Sequence, residues 1–152
     1  MPEYTGEWDR AGVAAYLADA RVPIRLACRT PAGGLWMLSL WYRFDADAER
    51  LVCATSANAN VVEYLRADDG VAFEVSDNDP PYRGVRGNGR ATIGPDEGKA
   101  VLRSLLERYL GGTESSLADR LLAPDREEVV IELDPKRVYS WDFSERMRGV
   151  NE

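Results

Sequence analysis

The segment Leu35–Leu65, LWMLSLWYRFDADAERLVCATSANANVVEYL, constrains the fold more than any other part of the chain. Its pattern predicts a strand over Leu35–Phe44, a turn over Asp45–Arg50, a second strand over Leu51–Thr55 and then a helix ending at Arg66. In the first strand Trp36, Leu38, Leu40, Tyr42 and Phe44 recur at every second position and make one fully apolar face. The opposite face, Leu35, Met37, Ser39, Trp41 and Arg43, is also far from polar. A strand with one side in water would not carry Leu, Met and Trp there, so both faces are expected to be covered. The cover of the second face is a helix, a partner subunit or a flat aromatic ligand. Where the next strand stops, the hydroxyls of Thr55 and Ser56 meet a helix start, a natural place for an anion.

A chain of 152 residues is long enough for one domain with a substantial core, and it is read as a single domain over 1–152 with a polar, flexible tail from about Ser144. No stretch approaches the roughly 20 apolar residues of a membrane span. The acidic start, MPEYTGEWDR, lacks the apolar run of a secretion signal, so a cytoplasmic protein is expected. Cys28 and Cys53 both sit in apolar runs and read as buried free thiols. There are 26 Asp and Glu against 19 Lys and Arg, and only Lys99 and Lys136 are lysines. An acidic, lysine-poor surface stays hydrated at high salt, which points to a halophilic cytoplasm. The same balance argues against nucleic acid, which needs a basic stripe.

Along the chain, Asp9 is placed to cap a helix over Arg10–Ala20 with Val13, Tyr16 and Leu17 inward. Strands are expected at Ile24–Arg29, Val71–Ser76, Tyr82–Ile93, Glu128–Leu133 and Arg137–Phe143, besides the two of the opening segment. Asn58 or Asn60 is expected to cap the helix after Ser56. Gly84, Gly87 and Gly89 within one strand signal sharp curvature or a second backbone lying close. Gly94-Pro95-Asp96 opens the longest helix, striped by Val101, Leu102, Leu105, Leu106 and Tyr109, and Gly111-Gly112 stops it. A short helix is expected near Ser116–Leu122. The outcome is a mainly β, α+β fold: about six antiparallel strands in a small barrel, with helices at its periphery.

That order of elements resembles the pyridoxamine 5′-phosphate oxidase-like family, the FMN-binding split β-barrel, over about Ala11–Phe143. The resemblance rests on Trp36–Phe44 followed by Leu51–Ser56, on the Thr-Ser turn into a helix ending in Tyr64-Leu65, and on Pro81-Tyr82-Arg83-Gly84-Val85-Arg86-Gly87-Asn88-Gly89. It implies a six-stranded split barrel, a homodimer, and FMN or the deazaflavin F420 in clefts between subunits. It also implies hydride transfer through that cofactor to a small-molecule substrate that the sequence does not identify. By the same resemblance Arg25 would grip the phosphate and Thr55 and Ser56 would supply hydroxyls. At the start of the following helix, where the family carries a basic residue, this chain has Asn58, Ala59, Asn60 and Val61.

Each candidate has a plainer reading beside the functional one. Arg25 is either a phosphate ligand or an outward arginine paired to a carboxylate. Thr55 and Ser56 either seat a phosphate or end a strand, and Asn58 and Asn60 either touch a ligand or cap a helix. Met37, Ser39 and Trp41 either line a ring site or fill an interface or core. Arg83 and Arg86 serve a cofactor or substrate, or pair with Asp77 and Asp79, and Trp141 faces the cleft or the core. With no histidine there is no His-based triad and no His-ligated zinc or haem, and two isolated cysteines make no zinc site. No GxGxxG or GxxxxGK[ST] run occurs. Such a chain would borrow its chemistry from a cofactor, and no catalytic residue is assigned. Two functions follow: a flavin-dependent oxidoreductase, or a non-enzymatic dimeric split barrel that has lost its flavin and serves a small-molecule-binding or stress role.

Overall fold

The alternating apolar runs are gathered into one sheet. The computed structural model describes residues 2–148. In chain order the elements are β1 (Glu3–Gly6), α1 (Arg10–Asp19), β2 (Ile24–Arg29), β3 (Leu35–Leu40), β4 (Arg43–Asp45), β5 (Arg50–Ser56), α2 (Asn60–Ala67), β6 (Gly70–Ser76), β7 (Arg83–Pro95), α3 (Ala100–Leu110), α4 (Ser116–Leu121) and β8 (Glu128–Asp142). A 3-10 turn, Glu97–Lys99, precedes α3. The strands form one eight-stranded sheet in the order β3-β2-β6-β7-β8-β5-β4, with β1 beside β8.

This corrects the expected six antiparallel strands in three places. Glu3–Gly6, which has no apolar run, adds as a short strand parallel to β8, with Tyr4 anchored by its hydroxyl donating to Glu49 at 2.7 Å. The two strands expected at 128–133 and 137–143 are one, because Pro135 sits opposite Gly89 at a bulge between Asn88 and Gly89 that accommodates its missing N–H. The strand expected over Leu35–Phe44 breaks at Trp41-Tyr42.

That break makes the barrel split. β3 pairs with β2 at one end of the sheet and β4 pairs with β5 at the other, so Trp41-Tyr42 carries the chain directly between the two ends. Tyr42 turns inward, fully buried, and its hydroxyl bonds the carbonyls of Leu17 (2.8 Å) and Ala20 (3.1 Å) at the end of α1. Trp41 turns the other way and stacks on Tyr109 of α3, with ring centres 5.2 Å apart and planes 8° from parallel. β3 and β5 thus approach without pairing, and the barrel stays open there.

Inside the barrel, Ile24, Leu26 and Cys28 of β2 meet Phe73, Val75, Val85, Ile131 and Leu133, and α1 and α2 close the core with the stripes read from the sequence. α3 covers Val52 and Val130 with Val101 and Leu105. Asp9 caps α1 by accepting from the Gly12 N–H at 2.9 Å. Buried Asp96 accepts from the N–H groups of Val101 and Leu102, both at 3.0 Å, and Gly111 ends α3 with φ +76°. α2 is not capped by Asn58 or Asn60. Ser56 organises the turn, its Oγ accepting from Asn58 N–H (3.3 Å) and its carbonyl from Ala59 N–H (3.0 Å), so Ala59 occupies the cap position without a side-chain bond.

The close approach expected at the β7 glycines is present. A Cβ on Gly87 would lie 2.1 Å from the Arg137 carbonyl oxygen and 2.9 Å from the Phe73 ring. Gly87→Ala should therefore cost about 1–3 kcal/mol, whereas Gly112→Ala, with nothing within 4 Å, should stay within about 0.5 kcal/mol, both read by urea denaturation. Burial supplies a second test. The Cys53 thiol is fully buried, and burial pushes its pKa from 9.0 up to about 12. Burial also raises the phenols of Tyr42 and, together with the facing carboxylates Glu49 and Asp77, those of Tyr4 and Tyr16. Because the folded state holds these protons, their contribution is complete below about pH 9 and is lost as pH rises through the folded values. Urea midpoints should fall from about pH 9 upward, and Cys53 should react with a thiol reagent only on unfolding.

Candidate functional site

Directly paired residues in a sheet share a face, so the registers define what the outer surface of the barrel presents. One row runs Ser39–Arg25–Glu74–Arg86–Tyr139–Thr5 across β3, β2, β6, β7, β8 and β1. The next row runs Met37–Ala27–Ala72–Asn88–Arg137–Glu3. Small Ala27 and Ala72 leave a groove of about 490 Å³ between long neighbours, bordered by Arg25, Met37, Glu74, Arg86 and Tyr139. Met37 at its β3 edge is 64% exposed and Leu35, farther along the same strand face, 84%, so the second face of that strand has no cover within one chain.

Charge distinguishes this groove from its surroundings. On the adjoining surface Arg90 is held by Asp69 at 2.6 Å, Lys136 by Asp134 at 2.9 Å and Arg29 by Asp68 at 3.7 Å. Asp69 also raises the Arg90 pKa, by hydrogen bonding and by charge. In the groove, Glu74 stands directly across from both Arg25 and Arg86, yet its Oε1 accepts from the Ser76 hydroxyl at 3.0 Å. Among the described residues neither Arg25 nor Arg86 forms an ion pair. Arg25 donates from Nη1 to Ser39 Oγ at 3.1 Å. The Arg86 guanidinium carbon lies 5.1 Å from the Tyr139 ring centre and 4.8 Å from that of Trp141.

Of the residues singled out in the sequence, Arg25, Met37, Ser39, Arg86 and Trp141 thus come together on one face. The others do not join them through any direct contact. Thr55 and Ser56 end β5 opposite Val129 and Glu128, and Asn58 and Asn60 are exposed on the turn into α2. Alternation puts Thr55 on the barrel side with Leu51 and Cys53, and Ser56 on the α3 side with Val52 and Ala54. Glu128 opposite Ser56 is buried and bonded to Arg126, a carboxylate that opposes an anion at that hydroxyl. Trp41 is occupied by Tyr109. Arg83 is held by Asp77, Nε to Oδ2 at 3.1 Å, and lies over the Tyr16 ring, while Asp77 also accepts from the Tyr16 hydroxyl at 2.7 Å.

Sequence reasoning missed Glu74, Tyr139 and the alanine floor. Their signal is period-two alternation in β6 and β8, but which residues meet depends on register, and the bulge at Asn88/Gly89 shifts it. The assembled face has two uncompensated guanidiniums, hydroxyls and a narrow apolar bed, a donor set suited to holding a flat ring with an anionic substituent. Cys28, raised by burial and by the Asp68 charge, points into the core and not into the groove. Among the described residues no group of His, Cys, Asp and Glu has a metal-binding arrangement, and no helix is long and apolar enough to cross a membrane.

No known protein family matches the chain by sequence. No curated protein matches it either. Solved structures do. The conserved hypothetical protein Rv2991 from Mycobacterium tuberculosis superposes with a TM-score of 0.72 at 26% identity, covering 90% of this chain and 86% of that one. An F420 reductase gives 0.66 at 26% identity, covering 80% and 92%. A pyridoxamine 5′-phosphate oxidase-like protein from Listeria innocua gives 0.64 at 15% identity, covering 86% and 96%, a likeness of fold. The resemblance read from the sequence therefore holds at the level of architecture: this is a split barrel of the pyridoxamine 5′-phosphate oxidase-like type.

Proposed function

We propose that this split-barrel chain binds a flavin-type cofactor, FMN or its deazaflavin counterpart F420, in the groove between β2, β3 and β6, and works as an oxidoreductase on a small molecule. The observation that carries the reading is Arg25. On an acidic surface where neighbouring cations are neutralised, it forms no ion pair among the described residues, turns to Ser39 and borders an alanine-floored groove. The likeness to an F420 reductase supports it.

A flavin or deazaflavin held there supplies hydride transfer. The chain's own residues bind and orient: Arg25 and the Ser39 hydroxyl hold the phosphate, and Met37, Ala27 and Ala72 form the bed for the ring. A second copy of the chain covers Leu35 and Met37, making a homodimer and excluding water from the groove.

One feature favours the flavin-free reading. The turn Asn58–Val61 supplies no cation, and a neutral donor is worth about 1 kcal/mol where a charge-assisted one is worth about 1.5–3. Fluorescence titration with FMN and with F420, at low and high salt, separates the two. Quenching of either by the wild-type protein, with a dimer in gel filtration, is the expected result, and quenching of neither overturns the proposal. Arg25→Gln should weaken binding on the order of tenfold. Arg83→Gln should leave it unchanged and cost less than about 1 kcal/mol in stability, because its half-exposed pair with Asp77 lies outside the groove.

A further inference from the structure

We infer that Arg86, Tyr139 and Trp141 form a second subsite, distinct from the Arg25 grip, that takes a flat ring carrying a single carboxylate. As a substrate site it rests on the cofactor reading above; as a binding site it stands without it.

Three observations lead there. The first is separation. Arg25 on β2 and Arg86 on β7 have β6 between them, about 10 Å from backbone to backbone at the usual strand spacing. Glu74 lies between them in the same row, and its carboxylate repels any one anion that would bridge the two guanidiniums. The groove therefore offers two separate single-cation positions.

The second is shape. The Tyr139 and Trp141 rings stack side by side, 6.3 Å between centres and 22° between planes, with the Arg86 guanidinium over both. Gly84 stands opposite Trp141, and a Cβ there would lie 2.7 Å from the indole, so the missing side chain is what lets the ring sit against β7. A guanidinium stacked on rings keeps its N–H donors at its rim, in the fork that matches a carboxylate, while its own outer plane and the exposed part of Tyr139 receive a flat partner. Tyr139 is 42% exposed, so this surface is open to solvent.

The third is charge count. The next cation, Arg137, is already drawn to Glu3 at 3.7 Å, and Glu74 is adjacent. Glu74 flanks both guanidiniums, but Arg25 has the Ser39 hydroxyl beside it as a further polar group, whereas Arg86 has only aromatic rings, which suits a monoanion carried on a flat ring. Sequence alone left Arg86 as a cofactor or substrate candidate and Trp141 as facing the cleft or the core. Their joint stacking with Tyr139, away from Arg25, gives them a different partner.

The test is calorimetric titration of the full chain with 2-naphthoate, with its neutral analogue 2-naphthamide, and with phenyl phosphate. Saturable 2-naphthoate binding is expected, with the amide and Arg86→Gln each weaker by about tenfold. Arg86→Lys, which keeps the charge but loses the fork, should also weaken it, as should Trp141→Leu, while Arg25→Gln should not. Circular dichroism checks that each variant folds, and either Arg86 variant suffices if the other does not. The inference is overturned if the amide binds as tightly as the acid, if phenyl phosphate binds more tightly and Arg86→Gln rather than Arg25→Gln weakens it, or if folded Arg86 variants bind naphthoate like wild type. It is also overturned if Arg86→Gln loses FMN in the same proportion as naphthoate, since Arg86 would then belong to the cofactor grip. If naphthoate binds and neither FMN nor F420 does, the subsite stands and the cofactor reading falls.

Discussion

Two adjacent aromatic residues pulled in opposite directions set the form of this barrel. Tyr42 is drawn inward until its hydroxyl reaches the carbonyls that end α1, and Trp41 is drawn outward onto Tyr109. Arg108 of α3 joins the same knot, lying over the Tyr42 ring and donating to the carbonyls of Leu17, Ala18 and Ala20. A helix C-terminus has orphan carbonyls, and here one phenol and one guanidinium satisfy them while tying α1, α3 and the strand crossing together. With the two ends of the sheet path joined by a two-residue crossing, the sheet has to curl, but β3 and β5 do not pair. A barrel with an open seam is the result.

Curling moves the demand onto the strands opposite the seam. β8 runs unbroken for 15 residues and pairs with β7 along its length, with β5 on one half and β1 on the other. That pairing is possible because β7 carries glycine where the backbones crowd: Gly87 meets the Arg137 carbonyl and Gly89 the Asp134 carbonyl, with the bulge absorbing Pro135. The same registers lay out the outer face. They put Glu74 between Arg25 and Arg86, align Tyr139 and Trp141 under Arg86, and bring two alanines into line as a floor. The adjoining cations Arg29, Arg90 and Lys136 are paired and these two are not, so they remain available to an anion on an otherwise acidic protein.

Much of this was legible in residue patterns. Asp9 as a cap, Gly111 as a stop, the inward stripes of α1, α2 and α3, and the close approach at the β7 glycines are local facts, set by periods of 2 and 3.6 and by the conformational freedom of glycine. What the patterns missed has a common cause. Trp41 and Tyr42 continue an alternation that looks like one strand, because nothing local says that Tyr109 and the end of α1 will compete for them. Glu3–Gly6 has no apolar alternation because it adds beside an existing strand. Asn58 and Asn60 are good caps in isolation, but Ser56 organises the turn and leaves Ala59 at the cap position. Arg83 and Arg86 look equivalent in sequence, yet one is tied to Asp77 and Tyr16 and the other lies open over two rings.

By itself the sequence determined most of the strands and helices, their apolar stripes, the acidic and histidine-free composition, and, by resemblance, the split-barrel architecture. Those properties depend on neighbours a few residues away. Only the tertiary structure decided which charges are neutralised, which aromatics are already occupied, and which side chains share the groove. Those are matters of register and crossing between residues far apart in the chain, and a one-residue slip in any pairing would carry Arg25, Glu74 or Arg86 to the opposite face.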